Sequence, residues 1–582
     1  MISARFDDLR PHRRRSFQMS GLVEVLEATS IDGVVEVLAA AEEAVTSGLW
    51  VAGFVIYEAA PAFDSALVVT NRDGTRFEGL PLAWFSVWKS RVPTQPLAPN
   101  AYQLSEWQPE IDQHQHAEGV TAIRQRIEAG DTYQVNHTFR MTASFSGRAE
   151  GLYRDLVNSQ SCGYGALIDT GRFAIVSASP ELFFEWRRGV LKSKPMKGTA
   201  ARGLTLHDDE EQRLQLASSE KDRAENLMIV DMVRNDLGRV AQVGSVEVPT
   251  LFTTEKYDTV WQLTSSVTAR PRSELGLADV FVALFPSASI TGAPKVATMQ
   301  IIAGLEVSPR GIYCGAVGFG GPDSGDQNQW AFNVAIRTVL VDRDREEAVY
   351  GTGGGVTFDS TPQGEFQEAV LKAAVLGRRS AVFSLLETMR FTPEAGLFLL
   401  DRHLQRLLDS ASYFDIPLDP AEVRAALRSA VEVATRPLRV RLLVDRSGVI
   451  QVDVGEVLPA TSVSLAVDTV AVDRRDVFLY HKTTNRAVYD DARHRYPHAS
   501  DVALINTEGE VTESTIANLA VDLDGAWYTP PVASGLLPGT LRGVLVEQGV
   551  LRERVMTPMD LKAANRIARV NALRGWEEVS LL

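Results

Sequence analysis

The stretch Lys194-Pro195-Met196-Lys197-Gly198-Thr199-Ala200-Ala201-Arg202-Gly203 sets a lysine directly before a glycine. Val190, Leu191 and Lys192 lead into it like the end of a strand, and Gly198 frees the backbone to turn tightly or to approach a ligand. An amine placed there in a cleft, away from water or beside a cation, loses affinity for its proton and becomes a nucleophile. The same ten residues also suit a polar surface turn. Asp222 and Glu225 are three apart, as are Glu365 and Glu368, so each pair shares one face if helical. Such hard oxygens suit Mg²⁺, which takes one or two carboxylates and completes its shell with water and substrate, although acidic pairs on solvated helix faces are also common. Gly351-Thr352-Gly353-Gly354-Gly355-Val356 reads as a loop whose N–H groups could cradle a carboxylate, or as a flexible turn. Arg337, among apolar neighbours on an expected strand, needs a bidentate anion or an internal carboxylate as partner.

The elements that position these residues belong to a long chain. Its 582 residues suggest roughly three to five domain-sized units. Apolar content of 45% and charged content of 23% are those of a globular protein, and the net charge of -15 argues against general nucleic-acid binding. Two cysteines, Cys162 and Cys314, cannot build a disulfide framework or a cysteine zinc site, which fits a reducing cytoplasm. Arg10, Arg13, Arg14 and Arg15 precede no apolar core of a signal peptide, and Leu49 to Tyr57 is too short to span a bilayer.

Residues 1 to about 110 read as a mixed α/β subdomain with short strands and a loop marked by Pro93, Pro96 and Pro99. His116 to Ala129 reads as a helix with Val120, Ile123 and Ile127 on one face. Strands are expected at 133–142, 165–169, 173–177, 182–186, 317–319, 330–341 and 348–351. Helices are expected at 218–237, near 294–305 and at 366–376. The chain breaks at Gly377-Arg378-Arg379-Ser380 and restarts with strands at 382–390 and 397–400 and a helix at 402–413, with a second linker near 458–461. The expectation is therefore an α/β (α+β) protein: a large unit over 1–377, then a two-lobed unit over 383–582.

Within the first unit, Ser179-Pro180-Glu181-Leu182-Phe183, the Lys197 stretch, Ala224 to Asp231, Arg234-Asn235-Asp236-Leu237-Gly238-Arg239, Ile290-Thr291-Gly292-Ala293-Pro294-Lys295 and Gly315-Ala316-Val317-Gly318 together resemble the chorismate-utilising enzymes. The likeness runs in consistent order from about residue 110 to 376, and implies a chorismate-binding α/β sandwich. It is greatest to the aminodeoxychorismate synthase (component I) branch, because Lys197 stands where the anthranilate branch carries alanine. The resemblance implies that Lys197 attacks C2 of chorismate with loss of the 4-hydroxyl, assisted by Glu181 as acid/base, and that ammonia then displaces the lysine. It implies Mg²⁺ held by Glu225 and Glu368 with Asp222 and Glu365 in support. It also implies substrate contacts from Thr199, Tyr313, Arg337, Gly353, Gly354 and Gly355. Gln262 stands where many members carry histidine, which shifts the acid role further onto Glu181. Neither cysteine reads as a glutaminase nucleophile, so the implied ammonia source is a separate glutamine amidotransferase subunit or solution.

The second unit carries Lys482 in Tyr480-His481-Lys482-Thr483-Thr484-Asn485-Arg486, Glu513 in Val511-Thr512-Glu513-Ser514, and Arg406 in His403-Leu404-Gln405-Arg406. A pyridoxal phosphate site needs a lysine, a carboxylate for the pyridinium nitrogen and a phosphate-binding group. Each residue also has a plain reading, as a loop lysine, a strand-end charge and a helix-surface charge. With Thr529-Pro530-Pro531 and Leu537-Pro538-Gly539-Thr540, expected to bind phosphate through backbone N–H groups, the set resembles fold-type IV pyridoxal phosphate enzymes, the D-amino-acid and branched-chain aminotransferase group. Asn485-Arg486 and Asn571-Ala572-Leu573 tilt the likeness toward aminodeoxychorismate lyases. The joint implication is a bifunctional route from chorismate to 4-aminobenzoate, for folate synthesis, with no nucleic acid and no membrane involved. The alternatives are an anthranilate-type synthase fused to an aminotransferase, or to an inactive scaffold.

Overall fold

The computed structural model of the chain describes residues 2–10, 14–95, 97, 101–160, 162–323, 328–373, 376, 383–457 and 463–582. The expected breaks at 377–380 and 458–461, and Pro96 and Pro99, lie outside the described residues. Two compact units divide the chain: Met1–Ala201 with Arg213–Ser380, and Arg202–Gln212 with Ala381–Leu582.

In the first unit, antiparallel pairing runs as one continuous path. It begins at Gln134–Gly147 and passes through Glu347–Val356, Thr338–Asp342, Phe173–Ser179, Tyr164–Asp169, Ser3–Asp8 and Arg15–Ala28. It continues through Ala83–Pro93, Trp50–Val55, Ala316–Pro322, Asn328–Val334, Leu182–Arg187 and Val190–Lys194 to Val260–Ala269. Val260–Ala269 also pairs with Met196–Ala201, the strand that carries Lys197. Trp50–Val55 and Phe173–Ser179 are buried on both faces, which is why they read as unbroken apolar runs rather than alternating ones. Phe183 and Phe184, just after Glu181, pack against Phe281, Phe285 and Phe332 with ring centroids 5.2 to 6.1 Å apart. Each ring buried this way contributes about 1.5–3 kcal/mol and fixes the strand that aims Glu181.

Helix Glu220–Gly238 lies on the lysine strand and on Val260–Ala269, burying Asn226, Ile229, Val230, Val233 and Leu237 along one stripe. Helix Pro362–Ala373 lies on the Glu347–Val356 strand and on helix Gln113–Glu128, whose first turn is closed by a capping box between Asp112 and Gln115. Among the described residues no helix is long and apolar enough to cross a membrane.

Several elements differ from expectation. The helix expected over 218–237 is the second of two, Leu206–Ser218 and Glu220–Gly238. Ser219 leaves the helical region, and its hydroxyl accepts from the Asp222 N–H at 3.2 Å, which starts the second helix afresh. The strand expected over 330–341 is broken into Asn328–Val334 and Thr338–Asp342, with Arg337 at φ 50 between them. The break lets Ala335 bond with Cys314 and Gly315 while the Arg337 carbonyl accepts from Ala178 N–H. The expected glycine loop at 351–356 is instead the end of the Glu347–Val356 strand. The expected strand 397–400 is only Gly396–Leu397, because Leu400 already opens helix Leu400–Tyr413. The N-terminal strands are not all short, since Arg15–Ala28 has 14 residues.

The second unit contains two sheets. Four antiparallel strands are ordered Gly396–Leu397, Leu385–Thr392, Leu438–Val444, Ile450–Glu456. They are packed with helices Leu400–Tyr413 and Pro420–Val431, whose Leu404, Leu407, Ala411, Val423 and Leu427 enter one core. The other sheet has eight strands, including Val463–Val467, Asp501–Ile505, Val511–Ser514 and Asn518–Leu523. Arg202–Gln212 belongs to this unit: the Tyr413 hydroxyl donates to the Gly203 carbonyl at 2.7 Å, and the Arg202 guanidinium lies 4.3 Å from the Tyr413 ring centre.

Candidate active sites

Lys197 stands at the second position of its strand, where the register with Val260–Ala269 shifts between Met196 and Thr199. Gly198 follows at φ 89, and Asp222 Cβ sits 2.9 Å from where a Cβ on Gly198 would be, so a side chain there would collide with the carboxylate helix. Lys197 is deep in the unit yet keeps part of its surface open, as a residue lining a cleft does. Burial lowers its proton affinity below that of an ordinary lysine; Glu225, Glu181 and Glu368 oppose this, and Lys372 reinforces it. Glu181 is buried, and burial pushes its carboxyl up to about 7, against the opposing pull of a 2.6 Å hydrogen bond from Ser289 Oγ to Oε1 and the charge of Lys197. The lysine and the acid on which the first site was expected to rest therefore face one another electrostatically.

The glycine strand forms the floor beside them. Gly353 turns its carbonyl to Lys372 Nζ at 3.0 Å, away from the Gln134–Gly147 strand. By strand alternation the N–H groups of Gly353 and Gly355 face that open edge, while that of Gly354 faces the paired strand. The missing Cβ atoms are filled from outside. A Cβ on Gly351 would lie 2.1 Å from the Tyr313 ring, one on Gly354 2.9 Å from Glu365 Oε2, and one on Gly355 2.7 Å from Lys197 Nζ. Glu365 accepts from Ser360 Oγ at 2.6 Å, and burial holds its carboxyl above the usual range. Burial would also raise Glu368, but Lys372 Nζ at 2.8 Å outweighs it and holds Glu368 below that range.

Asp222, Glu225, Glu365 and Glu368 are thus delivered by two helices to the surroundings of Lys197, Gly198 and Gly354. Among the described residues no three acidic, histidine or cysteine side chains converge as a metal cage. The set is all oxygen, and Glu365 and Glu368 approach the same side of Gly354, at 2.9 and 3.9 Å from its Cβ position. That fits an ion such as Mg²⁺, which is held by one or two carboxylates and finished by water and ligand oxygens.

Arg337 donates to Gln160 Oε1 at 2.6 Å and has no carboxylate partner among the described residues, so the internal salt bridge that would have explained it is absent. Burial lowers its proton affinity, and it is held in a left-handed backbone conformation that costs about 1–2 kcal/mol for a side chain with a Cβ. A buried guanidinium with spare donors calls for an anion. Thr199 is exposed, and its hydroxyl accepts from Gln262 Nε2 at 2.8 Å, so Gln262 is tied to the lysine strand.

In the second unit Lys482 is fixed through its backbone: Leu386 N–H donates to its carbonyl at 2.9 Å, and Thr484 N–H donates to Ser384 at 2.9 Å. Burial, reinforced by Arg406, lowers the Lys482 amine to about 8, with Glu387 opposing and Arg486 and Glu513 also acting on it. Burial raises Glu513 to about 7 even though it accepts from the Tyr489 hydroxyl at 2.8 Å, Leu537 N–H at 3.2 Å and Asn518 Nδ2 at 3.1 Å. Arg406 faces inward, not solvent. Its Nε and Nη2 grip Glu387 at 2.9 and 2.7 Å, and Nη1 donates to the Pro538 carbonyl at 3.2 Å. One N–H on each terminal nitrogen is left over. Thr540 opens helix Thr540–Glu547, whose first N–H groups are unpaired within the helix. Pro530, Pro531 and Pro538 have no N–H, so backbone donors in the two expected stretches can come only from their other residues. An enclosed amine, a carboxyl held by three donors, an arginine and a helix start are the donor chemistry that pyridoxal phosphate requires.

Residues 27–378 match the family described as chorismate binding enzyme. The chain belongs to that family. Residues 384–582 match amino-transferase class IV. The chain is 44% identical to aminodeoxychorismate synthase of Streptomyces griseus over 264 residues, which are 44% of this chain and 35% of that one. It is 38% identical to aminodeoxychorismate synthase component 1 of Klebsiella aerogenes over 291 residues, 49% of this chain and 61% of that one. The chain thus spans about a third to three-fifths of the length of these curated relatives. The crystal structure of anthranilate synthase component I from Streptococcus pneumoniae covers 63% of this chain and 92% of its own, with a TM-score of 0.54 and 24% identity, a likeness of fold.

Around the residues named from the sequence, the chorismate-binding unit adds Ser289 and Lys372, and the class IV unit adds Glu387, Tyr489 and Asn518. Lys372 carried a signal, four residues after Glu368 on one helix. Glu387 carried one too, as a lone acid in the apolar run Leu385-Leu386-Glu387-Thr388-Met389. Ser289 and Tyr489 carried none, since only tertiary folding brings them to a carboxylate, whereas Asn518 lies five residues after Glu513 in the same stretch. Cys162 and Cys314 are buried free thiols whose proton affinity burial raises, the opposite of an activated nucleophile.

Proposed function

We propose that the chain makes 4-aminobenzoate from chorismate and ammonia, with one reaction in each unit. The observation that carries this reading is the pairing of a buried amine of lowered proton affinity, Lys197, with a carboxyl that keeps its proton to about pH 7, Glu181. Lys197 Nζ forms a bond to C2 of chorismate, both ring double bonds shift along the ring toward C4, and the C4–O bond breaks. Glu181 gives its proton to the leaving hydroxyl, which departs as water. Ammonia then bonds to C4, both double bonds shift back, and the C2–N bond to Lys197 breaks, leaving aminodeoxychorismate and a free amine. Arg337, Tyr313 and the open N–H groups of Gly353 and Gly355 suit the enolpyruvyl carboxylate, with Thr199 at the rim. Glu225 and Glu368, supported by Asp222 and Glu365, would hold Mg²⁺, which supplies charge neutralisation to the ring carboxylate.

In the class IV unit Glu513 would hold the ring nitrogen of pyridoxal phosphate, with Arg406 and the Thr540 helix start on its phosphate. The cofactor supplies an electron sink. Lys482 Nζ, at about 8, takes the C4 proton of aminodeoxychorismate. The net change removes that proton and pyruvate from C3, leaving an aromatic ring. With neither cysteine activated, ammonia comes from a separate glutamine amidotransferase subunit or from solution, and two free thiols suit the cytoplasm. An anthranilate-type synthase is disfavoured by the Lys197 amine occupying the cleft.

The test is product identification. The purified chain, given chorismate, Mg²⁺, ammonium and pyridoxal phosphate, should yield 4-aminobenzoate and pyruvate in equal amounts by chromatography and mass spectrometry. Omitting pyridoxal phosphate should leave aminodeoxychorismate. Anthranilate as the product, or unconsumed chorismate, would sink the reading.

A further inference from the structure

Gln134 opens the Gln134–Gly147 strand next to the lysine site and was not singled out by any motif. Its backbone is fixed by pairing with Ala293 and by Thr132 Oγ1, which donates to its carbonyl at 3.1 Å. Its side chain is 0% exposed, and neither its Nε2 nor its Oε1 has a hydrogen-bond partner among the described residues. Leaving a buried donor or acceptor unmet costs about 1–3 kcal/mol, and an apolar side chain of the same length would avoid that cost. The point where a Cβ on Gly355 would stand is 2.4 Å from Gln134 Nε2 and 2.7 Å from Lys197 Nζ. The amide and the amine share the space that this glycine leaves open.

Asn226 gives the contrast, because it is a structural amide beside the same lysine. Its Nδ2 donates to the Lys197 carbonyl at 3.3 Å and to the Leu263 carbonyl at 3.1 Å, and its Oδ1 accepts from Ser265 Oγ at 2.6 Å. Asn226 is spent on holding the backbone; Gln134 has its whole hydrogen-bonding capacity in reserve, at the reacting amine.

We infer that Gln134 is a positioning residue for Lys197: its carbonyl oxygen accepts one N–H of the amine, so that the nitrogen lone pair points into the cleft, and its N–H groups are left for an oxygen of the bound substrate. An amide has the same outline either way round, and the orientation with Oε1 toward Lys197 sets an acceptor against the amine's donors. This inference rests on Lys197 being the nucleophile of the proposed function. Gly355 is part of the device, since only a residue without a side chain lets the two groups meet.

The full chain is assayed for chorismate consumption with Mg²⁺ and saturating ammonium, as Gln134→Met, Gln134→Glu and Lys197→Ala. Gln134→Met keeps length and loses the acceptor. It should lower kcat by at least about tenfold while KM for chorismate stays within about threefold and Tm holds, the split expected when orientation and not binding is lost. Gln134→Glu keeps an acceptor but adds charge next to the amine, so the acid limb of its kcat–pH profile should move to higher pH. A parental kcat in Gln134→Met, or a kcat and Tm that fall together with no displaced limb in Gln134→Glu, overturns the positioning role. If Gln134→Met does not fold, the limb of Gln134→Glu decides alone. Lys197→Ala separates the two ideas. Turnover at the parental rate in that variant removes the nucleophile reading itself, whereas an inactive Lys197→Ala beside a fully active Gln134→Met removes only the positioning role.

Discussion

Glu181 keeps its proton to about pH 7 because it is buried, and Ser289 Oγ limits how far it rises by donating to the carboxylate. The acid form is the one that can protonate a leaving hydroxyl, so chorismate turnover should fall as pH rises through this value. Removing the Ser289 donor destabilises the carboxylate and raises the Glu181 value further. Ser289→Ala should therefore carry the alkaline limb of the kcat–pH profile to higher pH, while Glu181→Gln should lose about 10²–10⁴-fold of kcat and that limb with it. A Ser289→Ala limb that stays put or moves down would separate Glu181 from the proton transfer. Lys197 and Glu181 were legible because each sits in a distinctive local motif. Ser289 was not: it is 108 positions from Glu181, and a serine in Ser287-Ala288-Ser289 has nothing local to mark it.

At the scale of elements, the Glu347–Val356 strand replaces an expected loop, and the reason lies in its partners. Its glycines pair in register with residues between Arg140 and Asn136, so the backbone is extended, and their missing side chains are matched by Tyr313, Glu365 and Lys197 coming in from other elements. Glycine weakens a strand by about 0.5–1 kcal/mol, which is why the pattern reads as a turn when taken alone. Close approach outweighs that cost here. Gly355→Ala would put a methyl 2.7 Å from Lys197 Nζ and 2.4 Å from Gln134 Nε2, so the lysine must move. Its kcat for chorismate consumption should drop at least about tenfold with the fold retained, because a displacement of about 1 Å is enough to cost 10²-fold. Steady-state kinetics with circular dichroism would check this, and a fully active Gly355→Ala would show that Lys197 does not work from this position. The two carboxylate helices were legible from their i, i+3 spacing. The strand break at Arg337 was not, since it depends on backbone bonds made across the fold, whereas the restart at Ser219 rests on a local bond from the Asp222 N–H three residues on.

Across the whole molecule, two stretches of chemistry 285 positions apart, at Lys197 and Lys482, fall in two separate compact units. The order of motifs along the chain made that division readable. The membership of Arg202–Gln212 in the second unit was not readable, because it rests on contacts such as Tyr413 with Gly203 that no local pattern announces. If the two reactions are linked by a released intermediate, each lysine can be lost without harming the other site. Lys197→Ala should form no aminodeoxychorismate but keep its pyridoxal spectrum and act on aminodeoxychorismate supplied from outside. Lys482→Ala should consume chorismate and accumulate aminodeoxychorismate without 4-aminobenzoate. Mixed in equal amounts, the two variants should make 4-aminobenzoate after a lag in which the intermediate builds up. With both half-reactions confirmed, a silent mixture would mean that the intermediate never leaves the protein that made it, and transfer would have to be internal. If Lys482→Ala alone makes 4-aminobenzoate at the parental rate, the second unit is not the site of pyruvate elimination.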